Sequence, residues 1–163
     1  MQIKALAETP SRVAELLRRA APEAWTRRPG ADVWAPVEVL AHLADTELFY
    51  GTRVRLILTG DRPFLQPFEG AALAERAGYI SWPQTVAFER FRTRRAENLE
   101  LLSSCSAAEL ARLGVHPVRG EMSVADLVAL MLAHDTDHVG QMRQRLGIDA
   151  VPDRGEAEAL WGR

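Results

Sequence analysis

A chain of 163 residues with a formal net charge of −2 has room for one substantial core, and lacks the basic surplus with which proteins neutralise nucleic-acid phosphates. Its 47% hydrophobic and 26% charged content is that of a soluble globular protein, with no apolar run long enough to cross a bilayer. Neither nucleic acid nor membrane is an expected partner.

One cysteine, Cys105, cannot form an internal disulfide, and MQIKALAETP lacks the pattern of a secretion signal, so a reducing, cytoplasmic location is expected. Arginines cluster at Arg18–Arg19, Arg27–Arg28 and Arg92–Arg94–Arg95, but nearby Glu dilutes each cluster, and they read as solvated helix faces, with an anionic ligand on one of them as the alternative.

The expected elements are helices, with no strand-period segment of any length. The first runs from about Pro10 to Ala21, with Thr9 as its cap, Pro10 in its first turn, and Val13, Leu16, Leu17 and Ala20 as one stripe. After the loop APEAWTRRPGADVW, a second helix runs from Pro36 to Leu58 and stops at Gly60. The segment from Asp61 to Ser81 shows little periodicity, contains Pro63, Pro67, Gly70 and Gly78, and is too long for a tight turn.

A third helix starts at Ser81–Trp82–Pro83 and reaches about Ser103. Ser106 with Glu109 reads as a capping box for a short connecting helix. The fourth long helix opens with Ser123 as cap and Asp126 as its third residue, then ends at Gly147; a last turn is expected around Leu160 and Trp161. Four long helices in one domain, residues 1–163, make an all-α four-helix bundle. The long crossover between the second and third helices lets them run parallel, so an up-down-down-up order is expected.

Chemistry concentrates in AHDTDHVGQM. His134 and His138 stand four apart, which on a helix puts two imidazoles about 6 Å apart on one face, within reach of one ion. HxxxH alone is a weak signal, since two histidines bonded to carbonyls or water share that spacing. His42, in VEVLAHLADTE, lies on or beside the buried stripe of the second helix, where a lone imidazole is costly unless its nitrogens are satisfied. An ion shared by His42, His134 and His138 would satisfy one nitrogen of each ring.

Asp45, Glu38, Asp135 and Asp137 are candidate acceptors for the remaining ring N–H groups. Three histidines without a fourth protein ligand leave a coordination position open, as catalytic sites do. Asp45 and Gln141 are the candidate catalytic side chains, orienting whatever occupies that position. Asp135 stays open between a pocket role and a contact with a neighbouring helix. His116, in GVHPVRGEMS, reads as structural or pocket-lining. Trp34 and Trp82 read as staples before helix starts, and Phe64, Phe68 and Tyr79 as parts of a lid or dimer surface.

WAPVEVLAHLADTE, followed by GVHPVRGEMSVADLVALMLAHDTDHVGQM, resembles the DinB-like (DinB/YfiT-like) superfamily of small metal-binding helical bundles over nearly the whole chain. The resemblance implies a four-helix bundle, often a homodimer, with a divalent metal, zinc or nickel, on His42, His134 and His138. It further implies a small-molecule substrate and a thiol-dependent S-transferase of the bacillithiol or mycothiol type, acting in stress or detoxification with a low-molecular-weight thiol as cosubstrate. A metal-dependent hydrolase and a non-catalytic metal-binding stress-response bundle are the alternatives.

Overall fold

In the computed structural model, which describes residues 2–148, the four long helices are α1 (Gln2–Arg19), α2 (Pro36–Thr59), α4 (Gln84–Ser104) and α6 (Val124–Arg145). Each of α1 and α2 packs against both α4 and α6, so α1 and α2 sit diagonally across the bundle. Side-chain pairing fixes the directions. Asp45 meets Arg94 and Glu47 meets Arg95 and Asn98, so α2 and α4 run parallel. His42 meets His134 and His138, whereas Ile57 shares its core cluster with Val124, so α2 and α6 run antiparallel. Thr9 bonds Asp135, while Leu16 lies in the same cluster as Val139 and Met142, so α1 and α6 run parallel. The order is up-down-down-up, as the crossover length implied.

The first helix begins at Gln2 rather than at Pro10, and carries Pro10 inside it. A proline there removes the donor to the carbonyl four residues back and costs about 3 kcal/mol when nothing replaces it. Here the Leu6 carbonyl accepts instead from Arg95 Nη1 at 3.0 Å. Thr9 is consequently a buried residue in mid-helix, not a cap, and its hydroxyl donates to Asp135 Oδ2 at 2.8 Å.

Every residue of α2 from Pro36 to Glu47 is buried, because the 3₁₀ turn Pro22–Thr26 and the crossover both pack on it beside α4 and α6. That crossover holds a helix the sequence pattern did not show, α3 (Gly70–Ala77), closed by Gly78 in the left-handed region at φ 61°. A short 3₁₀ turn, Tyr79–Ser81, follows.

After α4 comes α5 (Ala107–Leu110) with the Ser106/Glu109 capping box, then a hairpin of β1 (Leu113–His116) and β2 (Gly120–Ser123). Strands were not expected, and four residues are too few for a two-residue period to stand out. Three residues join them, and Gly120 takes φ 73°, a hairpin form that needs a left-handed residue at that place. The hairpin also anchors the crossover: the Leu65 N–H donates to the Val115 carbonyl at 2.9 Å and the Val115 N–H to that of Pro63 at 2.8 Å. Ser123 and Asp126 cap α6 reciprocally, and Gly147 follows its end at φ 64°. Among the described residues no helix is long and apolar enough to cross a membrane. Leu160 and Trp161 lie outside the described residues.

Candidate metal centre

Antiparallel packing sets the second turn of α2 beside the last half of α6, so three histidines converge. The Nε2 of His134 lies 3.1 Å from Nε2 of His42 and 3.1 Å from Nε2 of His138. One ligand nitrogen from each ring can be chosen with all three within 4.8 Å of one another. Two nitrogens bound tetrahedrally at 2.0–2.1 Å from one ion are about 3.3 Å apart, so the cluster has the dimensions of an ion's ligand set.

Protons alone satisfy this arrangement badly. His134 Nε2 can donate to one neighbour or accept from one or both, but if it is bare, each partner must carry its proton at Nε2. Burial, then the neighbouring histidines, push His42 down to about 3; burial, then His138, pushes His134 down to about 4. His138 is lowered too, chiefly by burial. All three are neutral at pH 7, the form that binds metal.

His138 and His42 are also held from outside the cluster. Gln141 Oε1 lies 3.1 Å from Nδ1 of His138, which fixes the proton there and turns the Nε2 lone pair inward. Thr46 Oγ1 donates to the His42 carbonyl at 2.7 Å and lies 3.4 Å from its Nε2. The His42 ring is boxed by Trp34, whose centroid is 5.1 Å away, and by Phe68, nearly parallel at 5.8 Å. Trp34 is thus part of this site rather than only a staple. Gly70 closes the remaining side: a Cβ there would lie 2.7 Å from His42 Cε1. Among the described residues His42 Nδ1 is buried without a hydrogen-bond partner.

Three of the four carboxylates proposed as acceptors for the histidines are employed elsewhere. Asp45 accepts from the Tyr79 hydroxyl at 2.7 Å and from Arg94 Nη1 at 2.6 Å, tying the crossover and α4 to α2. Glu38 accepts from the Ala35 N–H and from Arg28, at the start of α2. Asp137 is exposed.

Asp135 takes both Nη atoms of Arg95, at 2.6 and 2.9 Å, while Glu47 accepts from the same guanidinium at 2.6 Å and from Asn98 at 3.0 Å. Arg95 is 1% exposed, so it does not belong to a solvated face. This network joins all four long helices, and it fixes α6 at the residue after His134.

Beside the histidines lies a cavity of about 610 Å³, lined by His42 and His134 at one end and by Thr46, Tyr50 and Arg53 along α2. The hairpin contributes His116, Val118 and Arg119, and the crossover contributes Pro67, Phe68 and Gly70. His116 therefore lines the pocket, whereas Asp45 and Gln141 do not. Thr46, Tyr50 and Arg53 carry a signal in the sequence: they follow His42 by four, eight and eleven residues, on one helical face.

A family model described as the DinB superfamily matches residues 5–142. The chain belongs to the DinB superfamily. A relative from Halalkalibacterium halodurans, named a putative metal-dependent hydrolase, is 25% identical over 146 residues, 90% of this chain and 85% of its own. Another so named, from Oceanobacillus iheyensis, is 23% identical over 109 residues, 67% of this chain and 63% of its own. Among solved structures, YfiT from Bacillus subtilis superposes with a TM-score of 0.79 at 18% identity, over 91% of this chain and 87% of its own. It is described as a probable metal-dependent hydrolase with an unusual four-helix bundle topology. This DinB superfamily protein shares that fold.

Proposed function

We propose that this protein is a metal-dependent hydrolase of a small molecule, with His42, His134 and His138 holding a divalent ion, zinc or nickel. The observation that carries the reading is the convergence of three neutral imidazoles, one buried and two half-buried, beside a cavity that His42 and His134 line. The donor set fits such an ion: three nitrogens at the right separation, none sharing its proton well with the others, and no fourth protein ligand among the described residues. An ion there supplies Lewis acidity, making a nucleophile more acidic and polarising a substrate oxygen.

The side chains around it bind and orient. Gln141 holds the His138 proton at Nδ1, a positioning role. Burial pushes the Tyr50 phenol up to about 12, so it meets the cavity as a neutral O–H donor. Asp45 holds the crossover in place through Tyr79. The names of the relatives favour water as the nucleophile.

A second reading, transfer from a thiol such as bacillithiol or mycothiol, draws support from a different observation. Among the described residues no carboxylate lines the cavity to act as general base, and a thiol needs less help than water to lose its proton. Zinc-loaded and nickel-loaded protein assayed against ester, amide and alkylating substrates separates the readings. Turnover without thiol supports hydrolysis. Turnover only with bacillithiol, mycothiol or glutathione replaces it by transfer, and no turnover by metal-loaded protein refutes both.

A further inference from the structure

The cavity beside the histidines carries formal charge of one sign. Arg53 and Arg119 line it, and among the described residues no Asp or Glu does. Arg53 is the informative one, because it is 9% exposed and a guanidinium taken out of water is costly unless paired. One Nη donates to the Gln66 carbonyl at 2.5 Å, and Nε is buried with no hydrogen-bond partner.

Among the described residues no carboxylate lies within ion-pair distance of Arg53. Burial lowers its pKa, the direction for a cation that has lost water without gaining a counter-ion. The contrast within the same fold is Arg95, 1% exposed and held by Glu47 and Asp135. Where a buried arginine holds the bundle together it has two carboxylates; where it faces the cavity it has none.

The hairpin adds donors to the same corner. His116 Nδ1 accepts from the backbone N–H groups of Val118 and Arg119, at 3.2 and 3.3 Å, which puts the proton of the neutral ring on Nε2. Burial, then Arg53 and Arg119, lower its pKa, so the ring stays a neutral donor at pH 7. Tyr50 spans the distance between the two ends. Its ring centroid is 5.9 Å from Arg53 Cζ and 6.2 Å from the His134 ring, so guanidinium and imidazole are at most about 12 Å apart.

We propose that the cavity binds a compact molecule bearing an oxyanion, a carboxylate or phosphate, which Arg53 holds with Arg119 and His116 Nε2–H while the other end reaches the three histidines. The reacting end rests on the metal reading above; the anion-binding end does not.

The test is titration calorimetry on the zinc-loaded full chain at low ionic strength with succinate, inorganic phosphate and, as neutral control, succinamide. Succinate or phosphate should bind and succinamide should not; whichever anion binds more tightly identifies the group. Arg53→Gln should weaken that anion at least tenfold, as expected for loss of a charge-assisted hydrogen bond, and Arg119→Gln several-fold, both with zinc content unchanged.

Absence of binding by both anions overturns the proposal. So does an affinity within twofold of wild type in Arg53→Gln, since the anion would then sit on the histidines or elsewhere. If Arg53→Gln does not fold, Arg119→Gln, on the exposed turn, decides by the same twofold criterion. If the protein takes up no zinc, the function proposed above falls, and the same titrations on zinc-free protein still decide the anion site.

Discussion

Gly70→Ala makes the crossover press on the candidate metal centre through a single methyl group. The added Cβ would lie 2.7 Å from Cε1 and 3.0 Å from Nδ1 of His42, about 0.8 Å or more inside the 3.5–4.0 Å optimum for carbon contacts. Trp34 and Phe68 already pack on the His42 ring, so it has little room to turn aside. A ligand set tolerates displacements of about 0.2 Å, so a ring pushed severalfold further loses its place. Zinc affinity should fall about 10–100-fold, and folding stability by about 1–3 kcal/mol from overpacking. Competition with a chromophoric chelator measures the first and denaturant unfolding of metal-free protein the second. Gly140→Ala is the control of opposite sign: a Cβ there meets nothing within 4 Å, and the residue lies in the interior of α6. It should leave zinc affinity unchanged and raise stability by about 0.5–1 kcal/mol. Zinc affinity within twofold of wild type in Gly70→Ala would refute the reasoning, since the crossover would then not hold His42 in place.

Three further outcomes follow from the buried groups. Arg95→Met strands two buried carboxylates and should cost about 3–5 kcal/mol in urea unfolding; the double variant Arg95→Met/Asp135→Leu should recover part of that, and a loss below 1 kcal/mol contradicts the network. Gln141→Ala frees Nδ1 of His138 and should weaken zinc about tenfold with little change in the stability of metal-free protein; a variant weakened in stability alone would make Gln141 merely structural. The third concerns pH. His42 at about 3 and His134 at about 4 in the fold, against 6.5 when unfolded, mean that the unfolded chain binds more protons below pH 6.5. Their contribution is complete above that pH and is lost as pH falls towards 4, by up to about 3 kcal/mol for each ring. Chelator-treated protein should therefore melt progressively lower from pH 7 to pH 5, and a flat melting temperature over that range contradicts the neutral state of His42 and His134.

The four long helices were legible from apolar spacing, and the fourth also from its reciprocal cap at Ser123/Asp126; the Ser106/Glu109 box marked the short α5 in the same way. The crossover length carried the topology. What escaped reading was decided by residues distant in sequence. Pro10 looks like a first-turn proline because nothing local shows that Arg95 will take over the Leu6 carbonyl. Arg95 looks solvated beside Arg92 and Arg94 because Glu47 and Asp135, its counter-ions, come from two other helices. In the site, the histidines were legible by type and spacing. Their walls were not: Trp34 and Gly70 reach His42 along a chain path that no local pattern encodes.

Metal content measured on protein purified without an affinity tag, and then offered zinc and nickel, tests the central claim most directly. Wild type and His116→Ala should hold close to one ion per chain, while His42→Ala, His134→Ala and His138→Ala should each lose most of it. A wild-type protein that holds neither ion, or full occupancy in both His42→Ala and His134→Ala, would contradict it.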